Sequence, residues 1–219
     1  MRAAAIVPAA GRGERLGSDR PKALLPIGGV ALVARAVRML REAGIDDIVV
    51  AGPVEHLDAF LAVVPDAVVV EGGADRQESV RRALAVIDVD VDVVLVHDAA
   101  RGLAPVEVAR RVLDAIAAGA DAVVPVVAVP DTVNEVDADA RAIRTLDREK
   151  LRLVQTPQGF RRAVLWAAHA AASSGVAATD DASLVEALGI AVMTCAGADE
   201  AFKVTRPFDV LVAEAVVAR

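Results

Sequence analysis

Short apolar runs that do not alternate with polar residues are the feature that most limits what this chain can fold into. They occur at Ala3–Val7, Asp47–Ala51, Ala67–Val70, Val91–His97 and Ala122–Val126. Between them lie longer stretches with helical spacing at Leu32–Ala43, Glu55–Val63, Arg76–Val86 and Val106–Ala118. A strand apolar on both faces must be covered on both faces, so this order predicts an α/β chain with a mostly parallel sheet between two helical layers. Apolar residues make up 55% of the 219 positions and aromatic ones only 2%, so the core must be aliphatic. That length suits one domain.

Local chemistry marks the boundaries. Asp75-Arg76-Gln77-Glu78 can form a capping box, Gly44 and Gly119 stand where C-terminal caps belong, and Pro105 suits a first helical turn. The stretch 130–155 is polar and lacks a helical period. Thr132-Val133-Asn134-Glu135-Val136 and Arg152-Leu153-Val154 read as extended pieces, so this stretch is expected to be an arm projecting from the sheet. The regular pattern resumes with a helix at Arg161–Ala172. A second follows Thr179 and runs to Leu188, closed by Gly189. A strand at Ile190–Thr194 and a last helix from Pro207 complete the expectation.

Bulk properties remove several classes of function. A net charge of −7 disfavours binding to nucleic acid, although a local cation cluster could still hold a small anion. Cys195 is the only cysteine, so neither an internal disulfide nor a thiolate zinc cage can form. No charged leader precedes an apolar cleavage segment, and no run of eighteen apolar residues occurs. A cytoplasmic protein without a membrane segment is the expectation.

The first βα turn carries the densest chemistry: Pro8-Ala9-Ala10-Gly11-Arg12-Gly13-Glu14-Arg15-Leu16-Gly17, then Arg20-Pro21-Lys22. Glycines let backbone N–H groups approach phosphate oxygens, and the cations offset a triphosphate's charge. By itself the segment could also be a flexible surface turn. It is not a dinucleotide fingerprint, because Leu16 stands where the third glycine belongs. It is not a Walker loop either, since no Gly-Lys-Ser/Thr occurs. Only three of the 24 basic residues are lysines: Lys22, Lys150 and Lys203. An ammonium is a compact point charge suited to a single phosphate oxygen.

A second cluster is Val94-Leu95-Val96-His97-Asp98-Ala99-Ala100-Arg101, where a buried strand ends in an acid. Ligands bind at the carboxyl ends of such strands. Asp98 can serve Mg²⁺, a ribose hydroxyl or a turn cap, and Arg101 can take a phosphate. His97 reads as a satisfied, partly buried histidine without a catalytic part. Three scattered histidines and one cysteine give no cage spacing, so any metal should be a Mg²⁺ held by phosphates. Gly72-Gly73-Ala74-Asp75-Arg76-Gln77-Glu78-Ser79 again sets small residues after a strand. No Gly-x-Ser-x-Gly elbow occurs, which disfavours that hydrolase chemistry.

Taken in order, these segments resemble the 2-C-methyl-D-erythritol 4-phosphate cytidylyltransferase family. The likeness rests on Pro8-Ala-Ala-Gly-x-Gly-x-Arg-Leu, Pro21-Lys22, Gly72-Gly73-x-x-Arg76-x-x-Ser79-Val80, His97-Asp98-Ala-Ala-Arg101, Asp131-Thr132, Asp147-Arg148, Gln155-Thr156-Pro157-Gln158, Thr179-Asp180-Asp181-Ala-Ser183 and Lys203-Val204-Thr205-Arg206-Pro207. The resemblance implies a Rossmann-like domain with an arm that builds a homodimer, and transfer of the cytidylyl group of CTP to methylerythritol phosphate with Mg²⁺. It implies that Arg15, Lys22 and Lys203 surround the CTP phosphates. Ala9, Ala10, Gly11, Gly13, Gly73, Asp75 and Ser79 would hold the nucleotide. Asp98, as metal or ribose ligand, and Arg101 would line the substrate region, and Thr132 and Arg148 would reach the partner's substrate. Asn134 and Ala74 depart from residues common in the family. CDP-ribitol synthesis, transfer from another nucleotide to a sugar 1-phosphate, and a nucleotide-sensing module without turnover stay open as alternatives.

Overall fold

The computed structural model describes residues 1–11, 21–172 and 180–218. Arg15, Gly13 and Thr179, singled out above, lie outside the described residues. In chain order the strands are β1 (Ala3–Pro8), β2 (Pro26–Ile27), β3 (Val30–Ala31), β4 (Asp47–Gly52), β5 (Val68–Glu71), β6 (Val93–Val96), β7 (Ala122–Ala128), β8 (Val133–Val136), β9 (Ala142–Leu146), β10 (Arg152–Val154), β11 (Gln158–Arg161) and β12 (Val192–Ala196). The helices are α1 (Leu32–Glu42), α2 (Leu57–Val63), α3 (Arg76–Leu84), α4 (Val106–Ala117), α5 (Arg162–Ala171), α6 (Asp181–Glu186) and α7 (Pro207–Val217).

Strands β5, β4, β1 and β6 lie side by side and parallel. The expected parallel sheet is therefore present in the first half of the chain. β11 then enters antiparallel between β6 and β7, and β12 pairs parallel with β7 on its far edge. The runs without alternation follow from burial on two faces. Ala5 and Val7 of β1 pack toward α1, α2 and α4, with Val33, Leu40, Phe60, Val112 and Ile116. Ala4 and Ile6 of the same strand pack toward α3, α5 and α6, with Val80, Leu84, Leu165 and Val185. With every inner position of the strand in a core, no polar residue is tolerated at either phase.

The capping expectations can be read in detail. Asp75 Oδ1 accepts from Glu78 N at 2.7 Å. The glutamate reaches back one residue further than a standard box, accepting from Ala74 N at 2.9 Å. Gly44 (φ 90°) and Gly119 (φ 113°) follow the C-caps of α1 and α4 in the left-handed region that favours glycine.

Two features differ from the expectation. The stretch 130–155 divides: β8 and β9 form a separate hairpin, whereas β10 hydrogen-bonds to β7 and belongs to the main sheet. The tiny hairpin of β2 and β3 turns on Gly28 and Gly29, both with positive φ, as two-residue hairpin turns require. It packs under α7 with Ile27, Leu32, Val204 and Ala213 as a third apolar cluster.

A candidate nucleotide site at the strand-order reversal

Sequential strands β1, β4 and β5 build outward in one direction, and β6 lies on the other side of β1. The strand order thus reverses between β1 and β6. The splayed connections leave a crevice at the carboxyl ends of those two strands. A cleft of about 760 Å³ opens there. The turn after β1 supplies Ala9, Ala10 and Gly11, the turn after β5 supplies Gly73 and Asp75, the first turn of α3 supplies Ser79, and Asp98 stands two residues beyond β6. Lys22 and Lys203, from opposite ends of the chain, line the same cleft.

Each wall is fixed by local chemistry. Ala9 N donates to Ala51 O at 2.8 Å, and Gly72 N donates to Gly52 O at 2.7 Å, so both turns continue the sheet before they diverge. Ser79 is fully buried. Its hydroxyl donates to Asp75 O at 2.7 Å and accepts from Gly73 N at 2.9 Å, closing the Gly72-Gly73 turn from beneath. A Cβ at Gly72 would stand 2.6 Å from Ala10 Cβ and 3.1 Å from Ser79 Oγ, so glycine is what allows the turns after β1 and β5 to meet. Gly72→Ala should raise KM for the nucleotide by roughly tenfold by prising those turns apart, with KM for the second substrate unchanged; steady-state kinetics with each substrate varied in turn will read this.

Lys203 is carried to Asp98 by a docked segment. Val204 N donates to Ala100 O at 2.9 Å and the Val204 side chain is buried. Arg101 Nη1 donates to Ala201 O at 2.7 Å. Gln155 clasps the preceding loop from both sides, donating to Ala198 O at 2.8 Å and accepting from Ala198 N at 3.0 Å. The short turn Lys22–Leu24 packs beside the turn Ala99–Arg101.

Asp98 is the hub. Its Oδ2 accepts from Lys203 Nζ at 2.8 Å and its Oδ1 from Arg76 Nε at 3.0 Å. Its backbone N–H donates to Thr156 Oγ1 at 3.0 Å. Burial alone would raise the carboxyl, but Arg76 and Lys203 outweigh it and hold Asp98 well below the usual carboxylate range. Behind it, Arg76 Nη1 meets Asp181 Oδ2 at 2.7 Å, and Asp181 Oδ1 meets His169 Nε2 at 2.9 Å. Two residues beyond Thr156, Gln158 donates to Asp180 Oδ2 at 2.8 Å and accepts from Ala182 N at 3.2 Å, which anchors the start of α6.

A second cavity of about 230 Å³ adjoins the first and is lined by Arg101, Thr156 and Gln158 among others. Arg76, Asp98 and Lys203 border both. Burial pulls the Arg101 guanidinium down from its ordinary value, yet it stays cationic at neutral pH. Thr132 and Arg148 border neither cavity of their own chain. Both are exposed on the polar stretch, and Arg148 Nη1 donates to Pro130 O at 2.7 Å. Sequence reading assigned no role in the site to Arg76, Thr156 or Asp181. The available signal was that each sits inside a motif quoted above, with Arg76 opening a capped helix beside a strand end.

Among the described residues, no group of three or more His, Cys, Asp and Glu is placed to cage a metal. No described helix is long and apolar enough to cross a membrane.

The family model described as 2-C-methyl-D-erythritol 4-phosphate cytidylyltransferase matches residues 3–219. The chain belongs to this family. A relative of that name from Frankia casuarinae is 56% identical, over all of this chain and 82% of its own length. Another from Saccharopolyspora erythraea is 50% identical and aligned over the whole of both chains. Among solved structures, the 2-C-methyl-D-erythritol 4-phosphate cytidylyltransferase of Thermus thermophilus superimposes with a TM-score of 0.83 at 40% identity, covering both chains completely. A 4-diphosphocytidyl-2C-methyl-D-erythritol synthase from Anaerococcus prevotii gives 0.87 at 25% identity over 100% and 99% of the two chains. As a member of this cytidylyltransferase family the chain is an enzyme of the nucleotidyltransferase class, and its α/β fold is the one its solved relatives share.

Proposed function

We propose that this chain transfers the cytidylyl group of CTP to 2-C-methyl-D-erythritol 4-phosphate and releases pyrophosphate. The carrying observation is that Lys22 and Lys203 line one cleft at the strand-order reversal, with Asp98 bonded to Lys203, in a chain of this family. An oxygen of the substrate's phosphate attacks the α-phosphorus of CTP, a P–O bond forms, and the bond to the departing pyrophosphate breaks. Both reactants are anions, so their repulsion is the main obstacle. Lys22 and Lys203, with Arg15 beyond the described residues, would offset charge gathering on the α-phosphate and the leaving group. Backbone groups of Ala9, Ala10, Gly11, Gly13 and Gly73, with Asp75 at the helix start, would hold the nucleotide. Ser79 would act through the loop it braces. Arg101 would face the incoming phosphate from the smaller cavity.

Among the described residues the donor set does not fit an all-protein cage; it fits a Mg²⁺ held mainly by phosphate oxygens and water, which would take Asp98 Oδ2 as its protein ligand once Lys203 moves from that oxygen to a phosphate. A bound Mg²⁺ would neutralise triphosphate oxygens and the pyrophosphate. We place the enzyme in the cytoplasm, where the lone, partly buried Cys195 stays reduced.

The working unit in this reading is a homodimer built through the arm, with each site composite. The support is physical. A two-stranded hairpin is marginal alone, and this one exposes Val136 and Ile143. Thr132 and Arg148 also sit away from their own chain's cavities and would serve the partner's substrate. Arg148→Ala should raise KM for the phosphoalcohol by roughly 10–100-fold, the loss of a hydrogen bond to a charged group, while KM for CTP moves less than about twofold. Equal shifts in both would remove Arg148 from substrate recognition. The activity itself is tested by pyrophosphate release from CTP and Mg²⁺ with either methylerythritol phosphate or ribitol 5-phosphate. Turnover with the first is expected. Faster turnover with the second, or none with either, would overturn the assignment.

A further inference from the structure

The partly buried Arg76 and the buried Asp181 and His169 form a file behind the residue that meets Lys203, and nothing in the reaction as set out above uses it. The file runs Lys203–Asp98–Arg76–Asp181–His169 with successive contacts of 2.8, 3.0, 2.7 and 2.9 Å. It joins five separated pieces of chain: the segment before α7, the turn after β6, the first residue of α3, and the facing helices α5 and α6. Asp181 is 1% exposed and His169 is 5% exposed. Fold stability does not account for such an arrangement, because buried ion pairs are commonly matched or exceeded by apolar replacements of the same shape.

The covalent shape of arginine suggests what it does. The guanidinium is planar, and its Nε and Nη1 sides face different ways. Nε donates to Asp98 Oδ1, and Nη1 lies 2.7 Å from Asp181 Oδ2 as an ion pair, so Arg76 is held between two carboxylates on different sides of its guanidinium. Asp98 is fixed in turn by three contacts: Arg76 at Oδ1, Thr156 Oγ1 at its backbone N–H, and Lys203 at Oδ2. Only the Lys203 contact lies on a half-exposed side chain, with 42% of that side chain accessible. The carboxylate is therefore braced from behind and offers its remaining oxygen to the ammonium in front.

Resting on the cytidylyltransferase reading, we infer that Asp181 and Arg76 are positioning residues that hold Asp98 so that the Lys203 ammonium waits at the boundary between the two cavities. Arg76, Asp98 and Lys203 are residues that both cavities share, and in the proposed reaction that boundary is where the two phosphates meet. Asp181 draws part of the Arg76 charge away from Asp98. Without it, Arg76 turns wholly onto Asp98 and loosens that carboxylate's hold on Lys203. A lysine at position 76 keeps the charge but cannot span both carboxylates, since a single ammonium lacks the fork.

The test uses Arg76→Lys, Asp181→Asn and the double variant in the full-length enzyme. Each single change should lower kcat by roughly 10–100-fold with KM for CTP within about threefold, as displaced catalytic groups do. The double should be no worse than the poorer single, since both break one connection. Parental kcat in either folded single variant, or losses that multiply, would overturn the inference. So would a loss carried by KM for CTP. Should Asp181→Asn fail to fold, Arg76→Lys leaves the Asp181–His169 pair intact and carries the test. A second readout needs no turnover. The chain has three lysines, and Arg76→Lys adds only a fourth, so side-chain NMR can resolve each ammonium. In the ligand-free protein both variants should move the Lys203 signal toward that of a solvent-exposed lysine and leave Lys150 in place. An unmoved Lys203 signal refutes the positioning role even if the parental enzyme proves to have another activity. Absence of parental turnover with a shifted Lys203 signal would strike the functional reading alone.

Discussion

Lys203→Ala should lower kcat for cytidylyl transfer by roughly 10²–10³-fold, and Lys22→Ala should fall in the same range. A preorganised cation aimed at developing charge contributes about 2.7–4 kcal/mol in a site of this kind. Lys203 is preorganised in a definite sense: its backbone is pinned through Val204 to Ala100, and its ammonium is parked on Asp98 at 2.8 Å. When an anionic phosphate arrives, the ammonium has only to exchange one oxygen for another. No loop must close to bring it there. Lys203→Arg should recover little of the loss, because a planar fork cannot take the place of a point charge against one carboxylate oxygen and one phosphate oxygen in turn. Single-turnover measurement separates this chemical step from product release. A parental single-turnover rate in Lys203→Ala would remove the residue from the transition state and leave it a structural ion pair.

The first half of the fold was legible because its physics is local. A strand buried on two faces carries no polar residue, and β1, β4 and β6 satisfy that without exception at their inner positions. The glycines after α1 and α4 announce their own φ values. β11 escaped notice for the opposite reason. Its Gln158 and Arg161 look like loop residues, yet Gln158 is 1% exposed because its amide is spent on α6. Gly159 has no side chain, so the adjoining helix can come close; a Cβ there would collide with Val112. The cleft was legible as three separate turns, since each follows a strand and is rich in small residues. What could not be read was the Arg76 file. Its members stand at positions 76, 98, 169, 181 and 203, and no periodicity connects a salt bridge across such distances in sequence. Only the crossing of β11 between β6 and β7 brings α5 and α6 to the back of Asp98. The same strand insertion that hid from the sequence thus creates the arrangement that the sequence could not reveal.

Acidification should cost this protein about 3 kcal/mol of stability between pH 7 and pH 4 through His97 alone. The side chain is fully buried beside Asp98, and burial pushes its pKa down to about 4; the neighbouring Asp98 carboxylate resists that shift and Arg101 adds to it. In the unfolded chain a histidine titrates near 6.5. Below that value the unfolded state takes up the proton first, so its gain in proton binding is a loss for the fold. The contribution is complete above about pH 6.5 and disappears progressively as the pH falls toward 4, where the folded imidazole also becomes protonated. Asp98 acts in a lower window. Its carboxyl is depressed in the fold, so its contribution is retained above the ordinary carboxylate range and lost only beneath it. His97 can remain neutral at this cost because Thr156 Oγ1 lies 3.0 Å from its Nδ1 while also accepting from Asp98 N. A protonated ring would need to give a hydrogen to that oxygen and would leave its other N–H, which has no partner at Nε2 among the described residues, carrying charge away from water. Urea unfolding at the two pH values gives the measurement, with His97→Gln as comparison, since glutamine cannot titrate. The variant is expected to be weaker at pH 7 but to lose about 3 kcal/mol less on acidification. An identical loss in both proteins would mean that other groups set the acid limit, and that His97 either escapes its burial or is already charged in the fold.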